Sequence, residues 1–488
     1  MNLRFLVDTF RKLLKFPKRH IKAILMLIPF VFISLNINAQ RLDSILTLTD
    51  FLKLVEQNHP MAKRGALLNL MADAEILSAK GGFDPKAYGD YEQKFFKNQK
   101  YFGYGEYGVK VPTSFYGLEV KAAYNTTEGN FINPADKLPA VGQAILGVSF
   151  PVLQGFKIDE RRANRDKSQQ AQGLNQAERD ALLNDLALDA TAVYWKWVFA
   201  YQQRIIFQQA LSIAEQRFEG IKKAFDLGDR MAMDTLESWT QVQDRQMQYN
   251  EVQMDFREAT LKLNNFLWGG SPNGTISFED FKPQIFEKID PLSITPIGTE
   301  QKQFLLQNIA QTHPSLRGYD FKLAQLNIDK QLKREKLKPK LNLNYNFLGN
   351  GFAFNNVFTD NYKWGIQFST STLFRTERGD VQMADLKIEN TRLFQEQKQR
   401  ELENKLQLAF RDVENIQAQI QIQNQSVTNF GQLLSLENTR FQLGESSFFL
   451  INSRETKFLE AQIKQAKLVT ELNIARATTT WATGFLGF

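Results

Sequence analysis

Few residues in this chain are of the types that carry out chemistry. It has no cysteine and three histidines, His20, His59 and His313, far apart in the sequence. Without cysteine there is no disulfide, thiolate metal ligand, cysteine nucleophile or lipid-modified N-terminal cysteine. Neither a metal cluster nor a nucleophile and base pair is evident. We therefore expect a protein that is not an enzyme and that has no cofactor and no metal site.

Residues 103–108, Gly-Tyr-Gly-Glu-Tyr-Gly, fit the dinucleotide-binding pattern G-x-G-x-x-G. That pattern binds phosphate only where it follows a strand and opens a helix. Here it is followed by Val109 to Pro112, which is typical of a strand, so the glycines are interpreted as part of an aromatic-rich strand or loop. No G-x-x-x-x-G-K-[ST] pattern occurs, so the chain has no evident means of hydrolysing a nucleotide.

The formal net charge of +7 is concentrated at the N-terminus. A basic segment, an apolar run from Ala23 to Leu35 and a small residue at Ala39 are typical of a secretory signal peptide cleaved after Ala39. Residues 1–39 carry seven bases and one acid, so cleavage leaves 53 Lys and Arg against 52 Asp and Glu. A nearly neutral mature chain gives no electrostatic reason to expect nucleic acid as a partner.

Two long tracts are free of proline, since none occurs between Pro151 and Pro272 or after Pro339. In both, apolar residues recur at steps of three and four, which predicts amphipathic helices. The first, from Asp159 to Leu227, would extend roughly 100 Å as a helix, too long for an ordinary globular core. After the break at Leu227-Gly228-Asp229 a second helix returns, which predicts a long antiparallel hairpin.

The chain contains an internal repeat. Phe225-x-Leu-Gly228 recurs as Phe441-x-Leu-Gly444, and Pro85-Lys86 recurs as Pro339-Lys340. Gly147-Val-Ser-Phe150 similarly matches Gly365-Ile-Gln-Phe368. The second offset is 254 residues and the third 218, so the first copy carries 36 extra residues between these motifs. We interpret the chain as a duplication, and whether the extra residues extend strands, add a loop or plug a pore stays open.

Each copy switches to period two before its long helix, which predicts strands. Rows of alternating residues run from Tyr116 to Tyr124, from Ala144 to Phe150, from Leu341 to Phe347 and from Trp364 to Phe368. A soluble sheet with one wet face is the plain alternative. Aromatic strand ends, together with an export signal, favour a membrane barrel. Two strands per copy give four per chain, and three chains would give twelve, with room for a channel.

The duplicated order of short helix, Pro-Lys, strands, very long helix, Phe-x-Leu-Gly tip and return helix resembles the TolC-like outer-membrane efflux family. The resemblance covers nearly all of the mature chain. It implies a mostly α fold with membrane β structure: a trimeric outer-membrane β-barrel continued by a periplasmic α-helical tunnel. It also implies an exit duct with porin activity, serving efflux or type I secretion. The implied partners are two further copies, a periplasmic adaptor, an inner-membrane pump and outer-membrane lipid.

The resemblance assigns roles to particular residues. Tip residues, which would dock the adaptor, are Phe225, Leu227, Gly228, Phe441, Leu443 and Gly444. Acidic residues that could form an entrance gate follow the first tip or lie in it: Asp226, Asp229, Asp234 and Glu237. Hairpin closure or a solvated helix face would explain these residues equally well. Lumen-facing charges are expected at Glu92, Lys94, Glu119 and Lys121.

The expected organisation is a signal peptide (1–39), a first repeat (40–268), a linker (269–298) and a second repeat (299–488). In the first repeat, strands are expected within about 86–153 and the helical hairpin at about 157–268. In the second they are expected at about 340–374 and 376–483. The alternative function is a periplasmic coiled-coil adaptor or structural protein without a barrel.

Overall fold

The computed structural model describes residues 45–129, 131–133, 137–268, 282–283, 298–354 and 359–484. The expected signal peptide and most of the expected linker lie outside these residues. The helices are α1 (Leu48–Asn58), α2 (Pro60–Lys80), α3 (Glu160–Asp226), α4 (Ala232–Leu267), α5 (Thr299–Thr312), α6 (Pro314–Glu335), α7 (Arg375–Gln442) and α8 (Phe448–Ala482). The strands are β1 (Ile45–Leu46), β2 (Lys86–Phe96), β3 (Gln99–Pro112), β4 (Glu119–Glu128), β5 (Gln143–Pro151), β6 (Lys282–Pro283), β7 (Lys340–Leu348) and β8 (Tyr362–Ser369).

Two very long helices dominate the molecule, α3 with 67 residues and α7 with 68. The Asp159 side chain caps α3 by accepting a hydrogen bond from the Arg162 amide at 2.9 Å, which satisfies one of the free donors of the first turn. The helices α4 and α8 return along α3 and α7 as antiparallel partners. Among the described residues, none of the helices combines the length and apolar character needed to cross a membrane.

The main core lies where α1, α3 and α4 meet. Trp197 is fully buried on α3 and stacks on Phe256 of α4, while its indole nitrogen donates to Thr260 at 3.1 Å. Phe51 of α1 stacks on Tyr194 at a centroid distance of 5.7 Å. A second cluster joins α5 and α6 to α7 and the end of α8 around Leu402, Leu406 and Trp481. These clusters tie each long hairpin to its short helices.

The short helices begin alike in the two copies. His59 and His313 precede the prolines that open α2 and α6, and the Nδ1 atom of each accepts a hydrogen bond at 3.2 Å from the amide two residues later. Both histidines are therefore helix caps, which confirms that a structural role explains them without chemistry. They differ in burial, since His313 is 1% exposed whereas His59 is only partly covered.

In the described part of the chain a single six-stranded antiparallel sheet contains strands from both copies, in the order β2-β3-β4-β5-β7-β8. The expectation of two strands per copy was wrong, because the first copy supplies four. The missed strands β2 and β3 are rich in glycine and charged residues, so no apolar period-two row marks them. Tyr116 and Leu118, expected in a strand, precede β4, and Tyr116 has a φ of 46°.

The strand count explains the extra residues of the first copy. Strands β4 and β5 are joined by one longer connection, as are β7 and β8, so the additional pair is the hairpin β2–β3. Residues 86–118, which contain this hairpin and the turn after it, account for most of the 36 extra residues. The extra segment therefore adds two strands to the sheet. Within the expected linker, β6 pairs in parallel with β1.

Candidate functional site

The six-stranded sheet has two faces of opposite character. Directly paired residues share a face, so the register of each strand pair assigns every side chain. The apolar face consists of Ala87, Tyr91, Tyr107, Val109, Val120, Ala122, Leu146, Val148, Phe150, Leu341, Leu343, Tyr345, Phe347, Tyr362, Trp364, Ile366 and Phe368. Its large side chains are exposed in the single chain, for example Trp364 at 63% and Phe368 at 61%. Soluble proteins seldom leave so wide an apolar surface uncovered.

The opposite, polar face carries all four lumen residues proposed from the sequence. Glu92 and Lys94 project from β2, and Glu119 and Lys121 from β4. Amide side chains at Asn342, Asn344, Asn346 and Gln367 continue this face across β7 and β8. The curled sheet therefore separates a polar surface from an apolar one along every strand.

A hydrogen-bonded network on the polar face centres on Glu106 of β3. Its Oε1 accepts hydrogen bonds from the Tyr88 hydroxyl at 2.8 Å and the Lys121 ammonium at 2.6 Å. The Tyr104 hydroxyl also reaches Glu106, at 3.3 Å, and itself accepts from Asn125 at 2.8 Å. Of these residues only Lys121 was singled out from the sequence. Glu106 was discounted with the glycine pattern around it.

The glycines of that pattern serve the sheet. Residues 103–108 lie inside β3, so the interpretation as a strand is confirmed. A Cβ added at Gly108 would lie 2.7 Å from the carbonyl oxygen of Ala122, and one at Gly105 would lie 2.8 Å from the hydroxyl of Thr126. Neighbouring strands therefore occupy the space of the missing side chains. This arrangement offers no helix N-terminus to a phosphate.

The two hairpin tips share one backbone geometry. Gly228 and Gly444 have φ values of 86° and 78°, in the left-handed region that glycine adopts without strain. At the first tip the Gly228 amide donates to Phe225 and the Asp229 amide to Ala224, and the equivalent bonds recur at the second tip, all at 2.9–3.0 Å. This double bond closes each long helix as a Schellman motif.

Apolar side chains at both tips project into solvent. Leu227 is 78% exposed, Leu443 69% and Phe225 41%. Phe441 is partly covered, because the Arg230 guanidinium lies 4.4 Å from its ring centroid. This cation–π contact joins the first tip to the second. The tips therefore form one surface with an apolar outer edge.

The four acidic residues of the first tip do not form one cluster with a shared ligand geometry. Asp226, Asp229 and Glu237 are exposed, whereas Asp234 is half-buried and lies 3.9 Å from Arg230. Among the described residues no group of histidine and acidic side chains could hold a metal ion. Asp234 thus belongs to the contact between the tips, and Arg230, which sequence reasoning missed, holds that contact together.

A buried polar layer lies on the two hairpins farther from the tips. Arg217 of α3 pairs with Glu455 of α8 at 2.5 Å, with side chains 12% and 4% exposed. From α4, Gln241 donates to Asn452 at 2.8 Å, and Arg245 donates to Thr456 at 3.0 Å. Each contact spans more than 200 residues of sequence. Sequence reasoning missed them because polar residues on a long helix read as a solvated face.

Comparison with known proteins gives matches of structure rather than of sequence. No family model matches the chain, and no curated protein matches it. The outer-membrane channel OprN is 14% identical with a TM-score of 0.65, over 90% of this chain and 89% of OprN. The CmeC outer membrane channel of Campylobacter jejuni is 14% identical with a TM-score of 0.63, over 90% and 85%.

The MtrE outer membrane channel of Neisseria gonorrhoeae, solved in its open state, is 13% identical with a TM-score of 0.63, over 90% of this chain and 89% of that one. At such identities the match concerns the fold. This chain therefore has the fold of TolC-like outer-membrane efflux channels, the family that its sequence resembles.

Proposed function

We propose that the protein is an outer-membrane exit duct for efflux or type I secretion, and that it conducts passively and is not an enzyme. The observation that carries this proposal is the exposed apolar face of the sheet, backed by a polar face. A lipid-facing and a water-facing surface alternating along each strand are what a membrane barrel requires. The structural neighbours, which are outer-membrane channels, support the same function.

We propose that three copies assemble, with their sheets forming the barrel and their helices a periplasmic tunnel. Support comes from apolar side chains that recur on α7 and are exposed in the single chain. Phe394, Leu408, Ile422 and Leu436 follow one another at intervals of 14 residues and are 53–65% exposed. Two heptads place residues on nearly the same side of a helix, as in a coiled-coil seam. A neighbouring copy would cover this stripe.

We further propose that the joined tips dock a periplasmic adaptor, which links the duct to an inner-membrane pump. The exposed residues Leu227 and Leu443 are suited to insert into an apolar groove of such a partner. The tip acids Asp226, Asp229, Asp234 and Glu237 would then line the entrance. The polar face, including Glu119 and Lys121, would line the barrel. The two repeats, 40–268 and 299–488, would act as equivalent halves of each subunit.

Fractionation of cells that produce the protein tests this function. We expect recovery in the outer-membrane fraction, with helical tips accessible to a protease only after the outer membrane is opened. Recovery in the soluble periplasmic fraction would contradict the duct and favour a periplasmic adaptor or structural protein instead.

A further inference from the structure

The sheet ends in two strands that have unpaired outer edges within the described residues. On one side β2 pairs with β3 alone, and on the other β8 pairs with β7 alone. Both strands are long, and β8 carries the most exposed apolar side chains of the sheet, Trp364, Ile366 and Phe368. Such edges bind another strand readily unless something blocks them. β2 runs antiparallel to β8, so the two edges suit each other.

The internal repeat indicates which strand each edge binds. Strand β8 is the copy of β5, because Gly365-Ile-Gln-Phe368 matches Gly147-Val-Ser-Phe150. Strand β2 is the copy of β7, because each begins directly after the Pro of a Pro-Lys motif. Within one chain β5 pairs with β7, and Ser149 lies opposite Asn344. Translated by 218 and 254 residues, this pair becomes Gln367 opposite Asp90.

We infer that β8 of each chain pairs with β2 of a second copy, so that the added hairpin β2–β3 is part of the barrel wall. This inference rests on the proposed function and deepens it. With six strands from each of three copies, the barrel contains eighteen strands rather than the twelve expected from the sequence. At eighteen strands a barrel encloses an open aqueous channel.

The translated register keeps the two faces of the sheet continuous across the junction. It places Ile366 opposite Tyr91 and Phe368 opposite Gly89 on the apolar face. On the polar face it places Gln367 opposite Asp90 and Gly365 opposite Glu92. A slip of one residue would turn every side chain of β8 to the wrong face. The faces therefore agree with the register that the repeat supplies.

The added hairpin also changes the chemistry of the channel. On the polar face, the acidic residues of the described strands are Asp90, Glu92 and Glu106 on the hairpin and Glu119 on the adjoining β4. The copy-two strands β7 and β8 contribute amides and the lysines Lys340 and Lys363 to this face. An included hairpin therefore lines part of each third of the channel with carboxylates.

Cysteine cross-linking tests the junction directly, since the chain has no cysteine of its own. The variant Asp90→Cys/Gln367→Cys is purified in detergent, oxidised and run on a denaturing gel without reductant. We expect covalent dimers and trimers. The matched control is Asp90→Cys/Ser149→Cys, because Ser149 is the equivalent of Gln367 on a strand that is already paired on both sides. It should give monomers.

Two further pairs make the experiment decisive. Ser149→Cys/Asn344→Cys reports oxidation within one chain and should yield a cross-linked monomer. Lys121→Cys/Gln367→Cys reports a twelve-stranded closure, in which β2–β3 leaves the wall and β4 takes its place. Covalent trimers from this last pair, or none from Asp90→Cys/Gln367→Cys while the intrachain pair forms, would overturn the inference. Conductance of the same protein in a lipid bilayer would show whether the duct itself survives that outcome.

Discussion

The buried ion pair between Arg217 and Glu455 makes the most sensitive contact between the two hairpins. We expect Glu455→Gln to lower the free energy of unfolding by about 3 kcal/mol, because the variant leaves an arginine buried without a counter-charge. Thermal or denaturant unfolding of the purified protein measures the change.

The control is Glu258→Gln, which removes the partner of Lys262 on the surface of α4. Both side chains of that pair are more than 60% exposed, and such pairs contribute little to stability. Its unfolding midpoint should not move. Equal losses in the two variants would show that the burial of Glu455 has no special weight.

His313 gives the fold a predictable dependence on pH. Burial lowers the pKa of His313 to about 4 from its ordinary value of 6.5. Between pH 6.5 and pH 4 the unfolded chain takes up a proton that the folded chain does not, so stability falls as the pH falls. The full effect at pH 4 is about 3 kcal/mol, since one unit of pKa corresponds to about 1.4 kcal/mol.

Unfolding midpoints measured from pH 7 to pH 4 check this expectation. His313→Asn keeps a side-chain acceptor for the helix cap and removes the titration, so its profile should be flatter than that of the parent chain. The matched variant His59→Asn changes the same cap at a less buried position and should flatten the profile less. Parallel profiles for all three proteins would contradict the assignment.

At the scale of elements, the hairpin tips carry the proposed docking surface. Leu227→Asp and Leu443→Asp place a charge on side chains that are 78% and 69% exposed. We expect neither variant to alter the thermal midpoint, because little apolar contact is lost within the chain. Both should abolish cross-linking to the adaptor and sensitise cells to exported compounds.

The control for the tip is Phe304→Asp. Phe304 is 63% exposed but lies on α5, beside the middle of α7 rather than at either turn. This variant should keep adaptor cross-linking. If the tip variants dock as well as the parent chain, the tips are hairpin closures and nothing more.

The elements also show what a sequence can predict. The long helices follow from the absence of proline and from stripes such as Leu402, Leu406 and Phe410, because both signals are local. The tip turns follow from a repeated Phe-x-Leu-Gly. Strand β3 was missed because Gly103, Gly105 and Gly108 interrupt its apolar row, and only the neighbouring strands explain them. The contacts of Arg217 and Arg230 join distant segments, so no local pattern could indicate them.

For the whole molecule, the stripe on α7 predicts how the helical part assembles. Ile422→Asp places a charge in a seam that a second copy would cover, where desolvating it is costly. We expect the variant to remain folded by circular dichroism and to sediment as a monomer in detergent. The control Gln421→Asp, on an adjacent position about 100° around the helix, should remain a trimer. A trimeric Ile422→Asp protein would remove α7 from the interface.

The central claim is that this chain forms a water-filled duct through the outer membrane. The most direct test is the electrical conductance of the purified oligomer in a planar lipid bilayer. The account predicts discrete, long-lived conductance steps that persist without nucleotide, because the chain is a passive conduit. Repeated failure of the intact oligomer to conduct, in a preparation that is folded and inserted in lipid, would contradict it.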